Sequence, residues 1–150
     1  MFYIAHRGNI IGPNLEKENS PSFIDSAIDK GFYVEIDLWS ENNQLFLGHD
    51  LPSYKIDSSW LFSRSSFLWV HCKNSNALNF CISNPDLNYF FHNTDDYTLT
   101  SQGYVWIYPG KDPVKNGVCV LPEWNSNISD IDIKYPILGV CSDYVQLLRK

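Results

Sequence analysis

Short apolar runs alternate with polar, turn-rich stretches along the whole chain. Residues 2–5 read as a strand. Ser20-Pro21 opens a helix: Ser20 can cap it, Pro21 suits its first position, and Phe23, Ala27 and Ile28 mark one apolar face. Gly31 ends that helix. Residues 33–38 read as a second strand, and 45–48 as a short extended piece after the Asn42-Asn43 turn. Residues 67–73 read as a third strand, followed by a short helix over 76–82 that stops at Asn84-Pro85. Further strands are expected at 88–92, 104–108, 118–121 and 137–141.

Strands separated by helix-like or loop segments point to parallel β/α units rather than a sandwich. The pattern therefore predicts an α/β protein, a compact (β/α)8-type TIM barrel. That barrel ordinarily takes about 250 residues, whereas this chain has 150. After Asn93 the segments are too short for full crossover helices. The expectation is a single domain over residues 1–150, with later helices reduced or missing, or an incomplete barrel.

Composition changes this picture in one respect. Aromatic residues make up 15% of the chain, and such large rings fill a core with few residues. The formal net charge is −6 and no Lys/Arg run is long, which argues against electrostatic binding of nucleic acid or an anionic membrane surface. The first residues, Met1-Phe2-Tyr3-Ile4-Ala5-His6, have no charged leader with an apolar stretch behind it. No apolar run approaches the roughly 20 residues of a membrane anchor. Cys72, Cys81, Cys119 and Cys141 lack CxxC spacing and three of them sit in apolar runs, so buried free thiols and a cytoplasmic location are expected.

Polar residues collect where the strands end. His6-Arg7-Gly8 follows the first strand. Glu35 and Asp37 stand two apart in the second, so both point to one face. His49-Asp50 follows the next extended piece, and His71 and Lys73 repeat the spacing of two. Parallel strand ends converge on one mouth in a barrel. Two carboxylates on one face are costly unless a cation neutralises them, and a hard divalent ion also holds phosphate oxygens. Arg7 can grip a phosphate bidentately and Lys73 can supply a point charge. Histidines on either side of a phosphorus can serve as base and acid near neutral pH. The residues read as metal-assisted phosphoryl chemistry.

In order and spacing, Ile4-Ala5-His6-Arg7-Gly8, Glu18-Asn19-Ser20, Gly31 through Glu35-Ile36-Asp37-Leu38, and Gly48-His49-Asp50 resemble the glycerophosphodiester phosphodiesterase family, within the wider phospholipase-C-like barrels. Val70-His71-Cys72-Lys73 resembles the third-strand motif, which usually reads Glu-x-Lys. Gly139-Val140-Cys141-Ser142-Asp143 resembles the ending of the family's final strand.

The resemblance implies that His6 and His49 form the acid/base pair and that Arg7 and Lys73 bind the substrate phosphate. It implies that Glu35 and Asp37 bind a divalent metal ion, Mg²⁺ or Ca²⁺. His71 stands where an acidic ligand is usual, which brings Mn²⁺ or Zn²⁺ into range. Glu18 and Asn19 either orient the first loop or touch the metal, and Asp50 orients His49. His92 and Glu123 are candidate substrate contacts, Trp106 or Trp124 is a candidate cleft wall, and Asp143 reads as structural. The implied activity is hydrolysis of a glycerophosphodiester or similar small diester. A lyase that forms a cyclic phosphate and a phosphate-binding relative without turnover are the alternatives. The expected partner is the small diester, with no nucleic acid and no membrane anchor.

Overall fold

The computed structural model describes residues 1–133 and 137–149. In chain order the elements are β1 (Phe2–His6), α1 (Pro21–Asp29), β2 (Tyr33–Glu41), β3 (Gln44–Leu47), β4 (Tyr54–Ile56), α2 (Ser58–Phe62), β5 (Leu68–Cys72) and α3 (Ser75–Ile82). Then follow β6 (Asn88–Phe90), β7 (Tyr97–Leu99), β8 (Val105–Ile107), β9 (Gly117–Val120), β10 (Ile137–Ser142) and α4 (Val145–Leu148). Pro21 opens α1 as its position implies, but the Ser20 side chain makes no capping hydrogen bond. Asn74 does cap α3, its side chain accepting from the Ala77 N–H.

The expected TIM barrel is not what these residues build. They form one curled, mixed sheet, a half-barrel with 31% strand and 24% helix. The path runs β4-β3-β2-β1-β10-β9-β8-β7, and β5 and β6 branch from β2. Parallel pairings link β6, β5, β2, β1, β10, β9 and β8, whereas β3, β4 and β7 pair antiparallel. Among the described residues β6 pairs only with β5, so the sheet stays open. The reason lies in the connections. A parallel crossover needs a dozen or more residues, usually helical. Residues 91–104 instead form turns and the antiparallel β7, and residues 108–116 form turns, so the strands there have no helical cover.

Alternation along each strand divides the core in two. Outward residues such as Ala5, Val34, Ile36, Leu38, Leu68, Val70 and Cys72 pack with Ile24, Ala27 and Ala77 of α1 and α3. Inward residues fill the curl: Ile4, Trp69, Phe90, Trp106 and Cys141, flanked by Phe2, Tyr33 and Tyr104. Phe2 meets Tyr33 and Trp69 edge-on at 5.1 and 5.4 Å between centroids, and Phe90 lies 4.6 Å from Trp106. The aromatic content thus forms a plug at the bottom of the curl. The inward face of a strand changes character along its length. Phe2 and Ile4 lead to His6, Tyr33 leads to Glu35 and Asp37, and Trp69 leads to His71 and Lys73.

Gly48 fixes the approach to His49. Its N–H donates to the Asp37 carbonyl at 3.1 Å and its carbonyl accepts from Trp39 Nε1 at 2.6 Å. A Cβ there would stand 2.0 Å from the Leu51 carbonyl oxygen, at φ +153°. Gly48→Ala is therefore expected to destabilise the fold by about 1–3 kcal/mol, because backbone must shift to relieve the overlap. A urea-unfolding midpoint unchanged from wild type would contradict this packing.

Candidate active site

All four histidines of the chain line one cleft of ≈ 290 Å³ at the C-terminal ends of the parallel strands. His6, Arg7, Glu35, His49, His71 and Lys73 form one wall, and His92, Trp106, Tyr108, Leu121 and Trp124 contribute the other. Both candidate wall tryptophans thus face the site. A larger surface groove of ≈ 880 Å³, between the β3–β4 hairpin and α3, contains none of these residues.

The first loop sets the site's geometry. Arg7 takes a left-handed conformation, φ 53°, directly after β1. Its N–H donates to the Glu35 carbonyl at 3.0 Å, and its own carbonyl accepts from the Asn19 N–H at 3.1 Å. The guanidinium lies against two carboxylates, Nη1 3.2 Å from Glu18 Oε2 and Nε 3.1 Å from Asp37 Oδ2. Burial disfavours the Arg7 charge, but Asp37, Glu35 and Glu18 together outweigh it. Asn19 is buried and grips Asp37 twice. Its Nδ2 donates to Asp37 Oδ2 and its Oδ1 accepts from the Asp37 N–H, both at 2.9 Å. Glu18 and Asn19 therefore orient the arginine and the aspartate.

Among the described residues, Glu35, Asp37 and His71 form a group that could hold a metal ion, each offering an atom within 4.8 Å of the others. Glu35 and Asp37 are almost wholly buried. Burial, reinforced by Asp37, raises the Glu35 pKa above its ordinary 4.5. Burial acts the same way on Asp37, but His71, Arg7 and Lys73 overcome it and hold its carboxyl well below 3.8. Asp37 Oδ1 has no hydrogen-bond partner, although His71 Nδ1 stands 3.1 Å and Lys73 Nζ 3.5 Å away. A buried carboxylate oxygen that accepts no hydrogen bond, beside a second carboxylate and an imidazole, fits a divalent cation.

The two candidate acid/base residues sit in different surroundings. His6 is buried, and its Nδ1 lies 2.8 Å from Asp143 Oδ1. Burial lowers its pKa, but the Asp143 hydrogen bond and the Glu35 charge win and leave it above 6.5. His49 is half-buried and has Asp50 Oδ1 2.8 Å from its Nδ1. Burial and the nearby Arg7 lower its pKa below 6.5. His92 is lowered too, by burial and by His71. In the metal-free protein, NMR titration of the imidazoles should place His6 above 6.5 and His49 and His92 below it. A His6 midpoint below that of His49 would contradict the geometry.

The sign of the stability effect follows from the same pair. The raised His6 pKa contributes stability that is complete below 6.5 and lost as pH rises through its folded value. For Asp143, burial is overcome by His6 and Asn9, and its pKa falls below 3.8. Its contribution is present above 3.8 and lost as pH falls through the folded value. The pair therefore stabilises the fold between those two folded values.

The contacts of two residues at the site escape a reading of the sequence. Asp143 reads as structural, yet it holds His6. Asn9 is wholly buried, and its Nδ2 donates to Glu18 Oε1 at 2.9 Å and to Asp143 Oδ1 at 2.8 Å. One amide thus ties the carboxylate behind Arg7 to the carboxylate behind His6. Glu123 is placed behind Asp143: its Oε1 accepts from the Ser142 hydroxyl and the Asp143 N–H, both at 2.8 Å. It supports that loop and is not on the cleft wall. Asp50 is strongly exposed beside His49, and His92 lines the cleft while its carbonyl accepts from His71 Nε2 at 3.0 Å. No family model, curated protein or solved structure matches the chain.

Proposed function

We propose that this chain is a metal-assisted phosphodiesterase that cleaves a glycerophosphodiester or a similar small diester. The observation that carries the reading is the convergence of two imidazoles in opposed environments, a guanidinium, an ammonium and a carboxylate pair on one cleft. The resemblance of the motifs from His6 to Asp50 to glycerophosphodiester phosphodiesterases points the same way. Arg7 and Lys73 bind the phosphate oxygens, and Glu18 and Asn9 hold the guanidinium in place. His49, whose imidazolium is disfavoured, accepts a proton from the attacking hydroxyl or water. His6, whose imidazolium is backed by Asp143, donates one to the leaving alcohol. Glu35, Asp37 and His71 would hold a divalent cation, which supplies Lewis-acid stabilisation of the charge that builds at phosphorus.

Four free cysteines support a reducing, cytoplasmic location. No helix of the described residues is long and apolar enough to cross a membrane. The test is to strip the protein of metal, add back Mg²⁺, Ca²⁺, Mn²⁺ or Zn²⁺, and follow a panel of glycerophosphodiesters. Metal-dependent turnover of at least one is expected. A cyclic product would assign lyase chemistry, and binding of a phosphate analogue without turnover would assign a binding protein.

A further inference from the structure

The identity of the preferred metal can be read from how His71 is held. Its Nε2 lies 3.0 Å from the His92 carbonyl oxygen. A carbonyl only accepts, so Nε2 carries the hydrogen in this contact. The ring is also stacked on Phe90, with centroids 5.1 Å apart and planes 7° apart, which opposes a ring flip. Nδ1 is therefore the nitrogen presented to the carboxylates, 3.1 Å from Asp37 Oδ1 and 3.8 Å from Glu35 Oε1. A backbone carbonyl on the far nitrogen is the usual means of fixing a metal-binding imidazole's tautomer.

The carboxylates are just as constrained. Asp37 Oδ2 accepts from Asn19 Nδ2 and has Arg7 Nε 3.1 Å away, which leaves Oδ1 as the oxygen that accepts no hydrogen bond. Glu35 Oε2 shares the Arg7 N–H, at 3.3 Å, with the Glu35 carbonyl at 3.0 Å, and Oε1 is the oxygen that faces His71 Nδ1. The protein thus offers one nitrogen and one oxygen from each of two carboxylates. Calcium takes six to eight oxygens, often with bidentate carboxylates, and magnesium prefers oxygen alone. An imidazole nitrogen with two single carboxylate oxygens suits first-row transition ions.

We infer that His71 binds the metal through Nδ1 and that this centre selects a first-row transition ion, such as Zn²⁺, over Mg²⁺ and Ca²⁺. The inference rests on the metal-centre part of the proposed function, and it is tested without turnover. Metal-stripped, full-length protein carrying ¹⁵N-histidine is titrated with Zn²⁺ or Mg²⁺ alone. Zn²⁺ should move His71 Nδ1 to the position of a ligated nitrogen and leave the Nε2–H signal in place. Mg²⁺ at a roughly 100-fold higher concentration should leave the ring unmoved. By calorimetry, His71→Glu should lower Zn²⁺ affinity by about 10- to 100-fold and leave Mg²⁺ affinity equal or higher. A His71 Nδ1 unmoved at Zn²⁺ saturation would overturn the inference, as would Mg²⁺ binding as tightly as Zn²⁺. If His71→Glu does not fold, the wild-type spectra decide alone. Zn²⁺ ligation by His71 with no cleavage of any diester would uphold this inference and sink the phosphodiesterase.

Discussion

Replacing either His6 or His49 by alanine should lower turnover of a phosphodiester by about 10²–10⁴-fold, with substrate affinity changed far less. The asymmetry follows from the division of labour in the cleft. In the proposed mechanism Arg7 and Lys73 would still bind the phosphate in either variant, so ground-state binding should survive while proton transfer is lost. The two substitutions should also be strongly non-additive, since a reaction deprived of one proton-transfer group gains little from the other. They separate cleanly in stability. The His49 side chain is 43% exposed, so its removal should leave the unfolding midpoint nearly unchanged. Removing buried His6 leaves Asp143 with only Asn9 and should lower the midpoint. Steady-state kinetics beside urea unfolding reads both effects. Full activity in both variants would show that these imidazoles are not the acid and base.

Asp37→Ala should be the most damaging substitution for the fold, destabilising it by about 3–5 kcal/mol. Asp37 is wholly buried and faces Arg7, His71 and Lys73 at once. Without it, the partly buried Arg7 and Lys73 charges remain together with only Glu35 and Glu18 to offset them. Asn19 also loses the hydrogen bond that its Nδ2 donates to Asp37 Oδ2, and a buried polar group left unpaired adds to the cost. The change in unfolding free energy from urea denaturation measures this directly. A loss below about 1 kcal/mol would mean that solvent screens the cluster, as it does an exposed ion pair.

The inward-facing side chains were legible in the sequence because spacing of two is a local signal. Glu35 with Asp37 and His71 with Lys73 needed only the strand to be recognised. The register Asp37↔His71 then places the two strands' polar ends side by side. The contacts made by Asp143 and Asn9 were hidden for the opposite reason. Asp143 reaches His6 across 137 residues, through the pairing of β10 with β1. Nothing local to Ser142-Asp143 marks that partner. Asn9 follows the His6-Arg7-Gly8 motif, but a single asparagine in a turn-rich loop gives no sign of burial.

The expected barrel failed where the β/α rhythm of the first half was extended into the second. Residues 1–82 supply α1 and α3 between parallel strands. After β6 the chain turns back through β7, whose three residues carry no usable period. β4 is equally short, and its pairing with β3 depends on a register that spacing does not reveal. The site survives this change because β1, β2 and β5 remain adjacent and parallel, and those strands carry its chemistry.

³¹P NMR of a glycerophosphodiester incubated with the Zn²⁺-loaded protein tests the central claim most directly. The expected result is conversion of the diester resonance to a phosphomonoester, abolished by chelation and lost in His6→Ala. A diester resonance that stays unchanged with Zn²⁺ and with every other divalent ion, in protein whose cleft binds inorganic phosphate, would contradict it.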